Sequence, residues 1–195
     1  MSATAALRFV RPAAAGPDAA TRTPRLQIVR RPSGVRQVRT AVADDATAIH
    51  ALITTHLEEG HLLPREHDEI AAHAGRFLVV TDGGRLIACA ELAPLGPRVA
   101  EIRSLVVDRT TRGSGLGRRL VDALTATAAD DGYETVCAFA HAPAFFVGLG
   151  FTVVPHEQVP EKIAADCVRC PRYQQCGQFA VVRPTGAGRT EESLT

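Results

Sequence analysis

The stretch from Glu101 to Arg119 holds the densest chemistry in the chain. An apolar run, Leu105-Val106-Val107, enters a turn with glycines at 113, 115 and 117, and the turn opens a helical pattern. The first N–H groups of a helix lack intrahelical partners and lie at the positive end of its dipole. Phosphate binds there readily, and glycine lets the backbone approach it without a Cβ. Arg112, Arg118 and Arg119 add charge around the same turn. A P-loop needs Lys-Ser/Thr after its last glycine, and Arg118-Arg119 stands there instead. The glycine spacing also departs from the dinucleotide fingerprint. A second cluster is Cys167-x2-Cys170-x5-Cys176. Tetrahedral zinc wants four ligands, so His156 or Cys137 would have to complete the set. Without a second Cys-x-x-Cys, packed or unmetallated thiols are favoured over structural zinc or a redox pair. Cys89 and Cys137 sit in apolar runs and read as inert core residues.

These groups need elements to position them. Val35 to Ala41 alternates apolar and polar, a strand. Asp44 or Asp45 caps a helix with apolar positions Ile49, Leu52, Ile53 and Leu57, ended by Gly60. His61 to Arg65 is a loop, followed by a short helix to about His73. Phe77 to Thr81 and Arg85 to Leu92 pair across the Asp82-Gly83-Gly84 turn. Val99 to Val107 is a further strand. The helix after the glycine turn places Leu116, Leu120, Val121, Leu124 and Ala128 on one face, and Gly132 stops it. Thr135 to Ala140 is a strand, 142–149 a short helix, Phe151 to Val154 a strand, and Gln178 to Val182 the last one. The order predicts an α/β (α+β) mixed sheet with helices on its faces.

Composition sets the limits. The chain has 195 residues, 46% hydrophobic and 22% charged, which suits one packed domain. The net charge of +1 offers no basic excess for nucleic acid, and no apolar run is long enough to span a membrane. Residues 1–34 are rich in Ala, Pro and Arg, with Asp18 the lone acid, and read as a disordered tail. A transit peptide or a misplaced start codon are the other readings. Residues 184–195 read as a flexible tail, leaving 35–183 as the domain. With no secretory segment evident, a reducing cytoplasm is the expected location.

Arg112-x-x-Gly115-x-Gly117 after Leu-Val-Val-Asp resembles the acetyl-CoA pyrophosphate loop of the GNAT acetyltransferases. Phe145-Phe146-x-x-Leu149-Gly150-Phe151 looks like the helix-to-strand junction that closes that fold, and the resemblance covers about 35–183. It implies a mostly antiparallel central sheet with one splayed strand pair. Acetyl-CoA would lie in the splay. Backbone groups of Leu105, Val106 and Val107 would bond the pantetheine arm. Arg112, Gly113, Ser114, Gly115, Leu116, Gly117 and Arg118 would hold the pyrophosphate. An amine would attack the thioester directly, with Glu101 as the base.

Around this core, His61-Leu-Leu-Pro-Arg65, Glu101-Ile-Arg-Ser-Leu105 and Val159-Pro-Glu-Lys162 with the Cys-x-x-Cys-Pro segment resemble N-acetylglutamate synthases. The likeness is to the short type that consists of the acetyltransferase domain alone. It implies L-glutamate as acceptor, arginine biosynthesis as setting and no arginine feedback domain. Such domains often pair, so a homodimer is open. A dicarboxylate pocket should hold cations, since an arginine fork matches a carboxylate. Arg65 takes the matched loop position, with Arg103, Lys162 and the hydroxyl of Ser104 as further candidates. Read alone, each cation could equally be a solvated surface or sheet-face charge, and Glu101 an edge residue paired with Arg103. One departure concerns the leaving thiolate. Phenylalanines stand where many relatives place a tyrosine, and Phe139-Ala140-His141 supplies no hydroxyl, leaving His141 or a water as proton donor. The competing readings are an acetyltransferase for another small amine or a protein amino group, and a non-catalytic acyl-CoA sensor.

Overall fold

Gly83 and Gly84 both adopt positive φ, 57° and 82°, and close a two-residue turn between β2 (Phe77–Asp82) and β3 (Arg85–Pro94). Positive φ at both central positions matches the right-handed twist of the strands they join. From this hairpin the sheet grows outward. β1 (Gln37–Thr40) pairs antiparallel with β2, and β4 (Val99–Val107) pairs antiparallel with β3. β5 (Thr135–Ala140) lies parallel to β4, then β7 (Phe179–Pro184) and β6 (Thr152–Val154) complete the order β1-β2-β3-β4-β5-β7-β6. The computed structural model describes residues 36–60, 62–170 and 175–187. The expected tails at 1–34 and beyond 187, with His61, Pro171 and Arg172, lie outside the described residues. Pairing continues past the expected domain end at 183, since β7 reaches Pro184 and Thr185 N–H donates to Glu134 O.

The sheet has a helical layer on each face, as its alternating side chains require. Val79, Cys89 and Val106 pack with Ala46, Ile49, Leu52 and Ile53 of α1 (Ala46–Thr55) and Ile70 of α2 (His67–Ala72). Val80, Ala88, Ala90 and Ile102 point the other way, onto Leu116, Leu120, Val121, Leu124 and Ala128 of α3 (Leu116–Asp130). Those α3 positions recur at helical spacing, so one stripe is buried and the rest is polar. α4 (Ala144–Val147) adds Phe146 to the same core. A fifth helix, α5 (Pro160–Ala165), falls where no helix was expected. It is six residues long, too short to show a stripe, and Pro160 opens it as proline favours at a first helical position. Among the described residues no helix is long and apolar enough to cross a membrane.

Two irregularities in β4 shape the site. Cys89 pairs with Val106 but Glu91 pairs with Arg103, so Ser104 and Leu105 together face Ala90. This is a β-bulge, and Ser104 carries the positive φ of 51° that bends the strand. On its other edge β4 pairs with β5 only from Val99 to Glu101, against Thr135 to Cys137. Past Glu101 the two strands part.

Candidate active site

The parting of β4 and β5 opens a cavity of about 1330 Å³. Small-ligand sites run to roughly 300–1,000 Å³, so this one has room for two molecules side by side. Its walls come from Glu101 to Val107 on β4, Phe139 and Ala140 on β5, Phe145 and Phe146 on α4, and the glycine turn. Beyond Glu101 the edge of β4 that faces β5 has no ladder partner, so the main-chain groups from Ile102 to Val107 on that edge are available to a ligand.

At one end stands the turn. Gly113 and Gly115 take φ of 76° and 80°, and Gly115 immediately precedes α3. Among the described residues, none of the backbone amides from Arg112 to Arg118 donates to a protein acceptor. Ser114 Oγ donates to Thr111 O, which braces the turn and leaves its own amide free. Gly117 leans on α4: a Cβ there would come within 3.2 Å of Phe145 Cζ. The arginines are less free than their sequence suggests. Arg112 Nη2 clasps both oxygens of Glu59, at 2.9 and 2.7 Å, and its Nε donates to Val107 O. Arg109 joins Glu58 and Glu59 in the same cluster, and the two guanidinium groups hold the Glu59 carboxyl down at about 2. Arg118 donates to Gly148 O of the α4 turn.

At the other end stands Glu101, 3% exposed. Its partner is Lys162 of α5, with Nζ 2.8 Å from Oε2, and not the neighbouring Arg103. Burial pushes the Glu101 carboxyl above its ordinary value, and Lys162 pulls only part of that back. Lys162 also donates to Asp166 at 2.6 Å and lies 5.4 Å from the Phe139 ring centre. His141 lines the same cavity.

Arg65, Arg103, Ser104 and Lys162 do converge here, but each cation meets a carboxylate. Arg65 differs most from expectation. Its Nε and Nη2 clasp Glu69 at 3.1 and 2.7 Å, and its Nη1 reaches Glu91 and Ser104 Oγ at 2.7 and 2.9 Å. The guanidinium expected to hold an acceptor is spent on the protein. Glu91 of β3 is the residue that sequence reasoning missed. It is fully buried and binds both arginines, with Arg103 Nε and Nη2 at 2.9 and 3.2 Å. The arginines outweigh its burial and hold its carboxyl below the usual range. A signal existed: a carboxylate inside the apolar run Ile87-Ala88-Cys89-Ala90-Glu91-Leu92 must find cations when buried.

Cys167, Cys170 and Cys176 line the cavity as free thiols. Neither proposed fourth ligand is offered. His156 Nε2 donates to Gln178 O, and Cys137 is sealed in the core of β5. Among the described residues no group of three or more His, Cys, Asp and Glu is placed to hold a metal ion.

Residues 43–151 match the model of the Acetyltransferase (GNAT) family. An uncharacterised N-acetyltransferase of Chlorobaculum tepidum is 34% identical over 146 residues, which are 75% of this chain and 94% of that protein. An amino-acid acetyltransferase of Edwardsiella ictaluri is 28% identical over 128 residues, 65% of this chain and 29% of the relative. The N-acetylglutamate synthase of Neisseria gonorrhoeae, solved with coenzyme A and N-acetyl-glutamate, superposes with a TM-score of 0.70 at 25% identity. The superposition covers 78% of this chain and 35% of that one. The chain thus spans about a third of the length of the latter two proteins. Family model, near-full-length relative and splayed sheet agree, and the chain belongs to the GNAT acetyltransferase family.

Proposed function

We propose that this chain acetylates the α-amino group of an amino acid with acetyl-CoA, L-glutamate being the first acceptor to test. One observation carries the reading. A single cavity joins unspent backbone amides at residues 112–118 to a buried carboxylate at Glu101. The first feature suits a diphosphate and the second a base. Acetyl-CoA supplies an activated thioester, and the protein supplies position and proton traffic. The free amides of the turn would hold the pyrophosphate, and the unpaired edge of Leu105 to Val107 the pantetheine arm. An ammonium has no lone pair, so the acceptor must lose a proton first. Glu101, with its raised affinity for a proton, would take it directly or through a water. With phenylalanines on α4, His141 on the cavity wall is the candidate to protonate the thiolate. The gonococcal likeness and the amino-acid acetyltransferase relative support an amino acid as acceptor. The reading carries with it arginine biosynthesis, a cytoplasmic location and a homodimer.

A second reading has its own observation. Of the expected cations, Arg65 is held by Glu69, Glu91 and Ser104, and Lys162 is shared between two carboxylates. One open fork favours an acceptor with a single carboxylate, such as L-glutamine. A thiol-release assay of the purified chain with acetyl-CoA against a panel of amino acids and amines tests both. Release with glutamate above all others supports the first reading, and release with amide side chains supports the second. No release with any acceptor would point to a non-catalytic acyl-CoA binder.

A further inference from the structure

We infer that Glu91 is the positioning residue of the acceptor pocket. From full burial it grips the side edge of Arg103, so that the end-on N–H pair of Arg103 faces the cavity as a dock for one acceptor carboxylate. The inference rests on the amino-acid reading above and assigns a role to a residue that touches no substrate.

The geometry carries it. Glu91 takes Arg103 bidentately through Nε and Nη2, and among the described residues Nη1 and the outer hydrogen of Nη2 make no hydrogen bond. Two further carboxylates pair with that edge at longer range, Glu69 at 3.7 Å from Nη2 and Asp166 at 4.0 Å from Nη1, so an incoming carboxylate closes on the N–H groups that they do not reach by hydrogen bond. That edge is the fork that matches a planar carboxylate. Arg103 lines the cavity two residues from Glu101, so a carboxylate on its fork lies close to the proposed base.

Glu91 is in turn fixed from behind. Arg65 Nη1 donates to the same Oε2 that accepts from Arg103 Nε, and Glu69 and Ser104 hold Arg65. A buried carboxylate between two guanidinium groups stays ionised and cannot swing to solvent without stranding a charge. Arg65, the residue that looked like the clamp, is thus the brace, and Arg103 the clamp. Arg103 also directly precedes the bulge at Ser104, where a freely rotating side chain would have other directions to take.

The test uses the full chain and the variants Glu91→Gln and Glu91→Asp. The first keeps the shape and loses the charge, and the second keeps the charge on a shorter arm. Expected for both is a rise of about tenfold or more in KM for the amino acid, with the KM for acetyl-CoA and kcat at saturating acceptor within about twofold. Arg103→Lys should give the same split, and adding Glu91→Gln to it should cost little more, because both act through one fork. An unchanged acceptor KM with a lowered Tm would reduce Glu91 to a structural ion pair, and additive effects would overturn the coupling. Where a Glu91 variant does not fold, Arg103→Lys alone decides. It should cut the preference of the chain for an amino acid over the matching decarboxylated amine about tenfold, and an unchanged preference overturns the dock. Calorimetric binding of N-acetyl-L-glutamate and N-acetyl-L-glutamine to the CoA-loaded protein reads the dock without turnover. Affinity about tenfold lower in Glu91→Gln supports it, and equal affinity overturns it. A wild-type chain that binds these products but releases no thiol would sink acetyl transfer alone and leave the dock standing.

Discussion

Lys162 Nζ lies 2.8 Å from Glu101 Oε2 across 61 residues of sequence, joining α5 to the point where β4 and β5 separate. The pair sets how the proposed base titrates. Burial raises the Glu101 carboxyl, and the lysine opposes that rise. A carboxyl raised on folding adds stability below its unfolded value of about 4.3, and that stability is lost as pH climbs through the folded value. Activity runs the other way, since the base must be ionised. kcat/KM should therefore fall on the acid side with a midpoint above the ordinary glutamate value. Lys162→Met should move that limb to higher pH, because the opposing cation is gone. Glu101→Gln should lower kcat about 10²- to 10⁴-fold while CoA still binds. A pH–rate profile whose acid limb stays in place in Lys162→Met would remove Glu101 from the base role.

The bulge makes a separate claim. Ser104 holds φ of 51° without being glycine, and its Oγ accepts from Arg65. A β-branched side chain tolerates that backbone poorly, at about 1–3 kcal/mol. Ser104→Val should lower unfolding free energy by that order in urea titration. Ser104→Gly relieves the backbone but loses the Arg65 contact, so it should be milder. Equal stability of all three proteins would mean that the bulge carries no strain.

How much of this was legible follows from the range of the interactions involved. The Gly83-Gly84 turn, the stripe on α3 and the glycines at 113, 115 and 117 are local signals, and each stands where its spacing put it. Glu91 contacts residues 26 and 12 positions away, and nothing local names its partners. Without Glu91, Arg65 reads as the first candidate for the clamp and Arg103 as a further one. With it, they differ in what they still offer. α5 escaped notice because a six-residue helix shows too little periodicity, so Lys162 could be singled out but not paired. The positive φ of Ser104 has no residue-type signal at all.

Gly117 packs where a Cβ would press on Phe145 of α4, and Gly115 holds a positive φ at the mouth of α3. Both changes should strike the proposed pyrophosphate cradle and spare the acceptor pocket. Gly117→Val forces the turn and α4 apart, and Gly115→Ala strains the middle of the cradle by about 1 kcal/mol. The KM for acetyl-CoA should rise in each, with the acceptor KM nearly unchanged. Kinetics in which both constants rise together would place the damage in the fold and not in the cradle.

The five cysteines separate by burial. Cys89 and Cys137 are sealed in the core, and burial pushes the Cys89 thiol up to about 12. Cys176 is exposed, and Cys167 and Cys170 are half-buried on the cavity wall. A thiolate-seeking reagent should modify Cys176 first and Cys167 and Cys170 more slowly, leaving the core pair until denaturant is added. Saturating acetyl-CoA and acceptor should slow the middle pair, which shares the cavity with Lys162. Mass spectrometry of the labelled chain reads the order. Early modification of Cys137 would mean that β5 opens in the native state.

Arg112 and Glu59 give the last prediction. Arg112 is the arginine of the glycine-turn motif, yet both Glu59 oxygens occupy its Nη2, and the depressed Glu59 carboxyl keeps the pair intact down to about pH 2. Arg112 is substantially exposed and Glu59 half-buried at the surface, so the pair adds little to stability, and Glu59→Gln should leave Tm almost unchanged. The effect on the ligand should be larger. Removing one acid beside the cradle leaves Arg112 and Arg109 without their shared counter-charge, and an anionic diphosphate should associate faster. The KM for acetyl-CoA should drop about two- to fivefold at low ionic strength, and the gain should fade as salt shortens the Debye length to about 3 Å near 1 M. A rise in that KM at every salt concentration would instead mean that Glu59 holds Arg112 in its working position, and that the ion pair serves the cradle and does not compete with it.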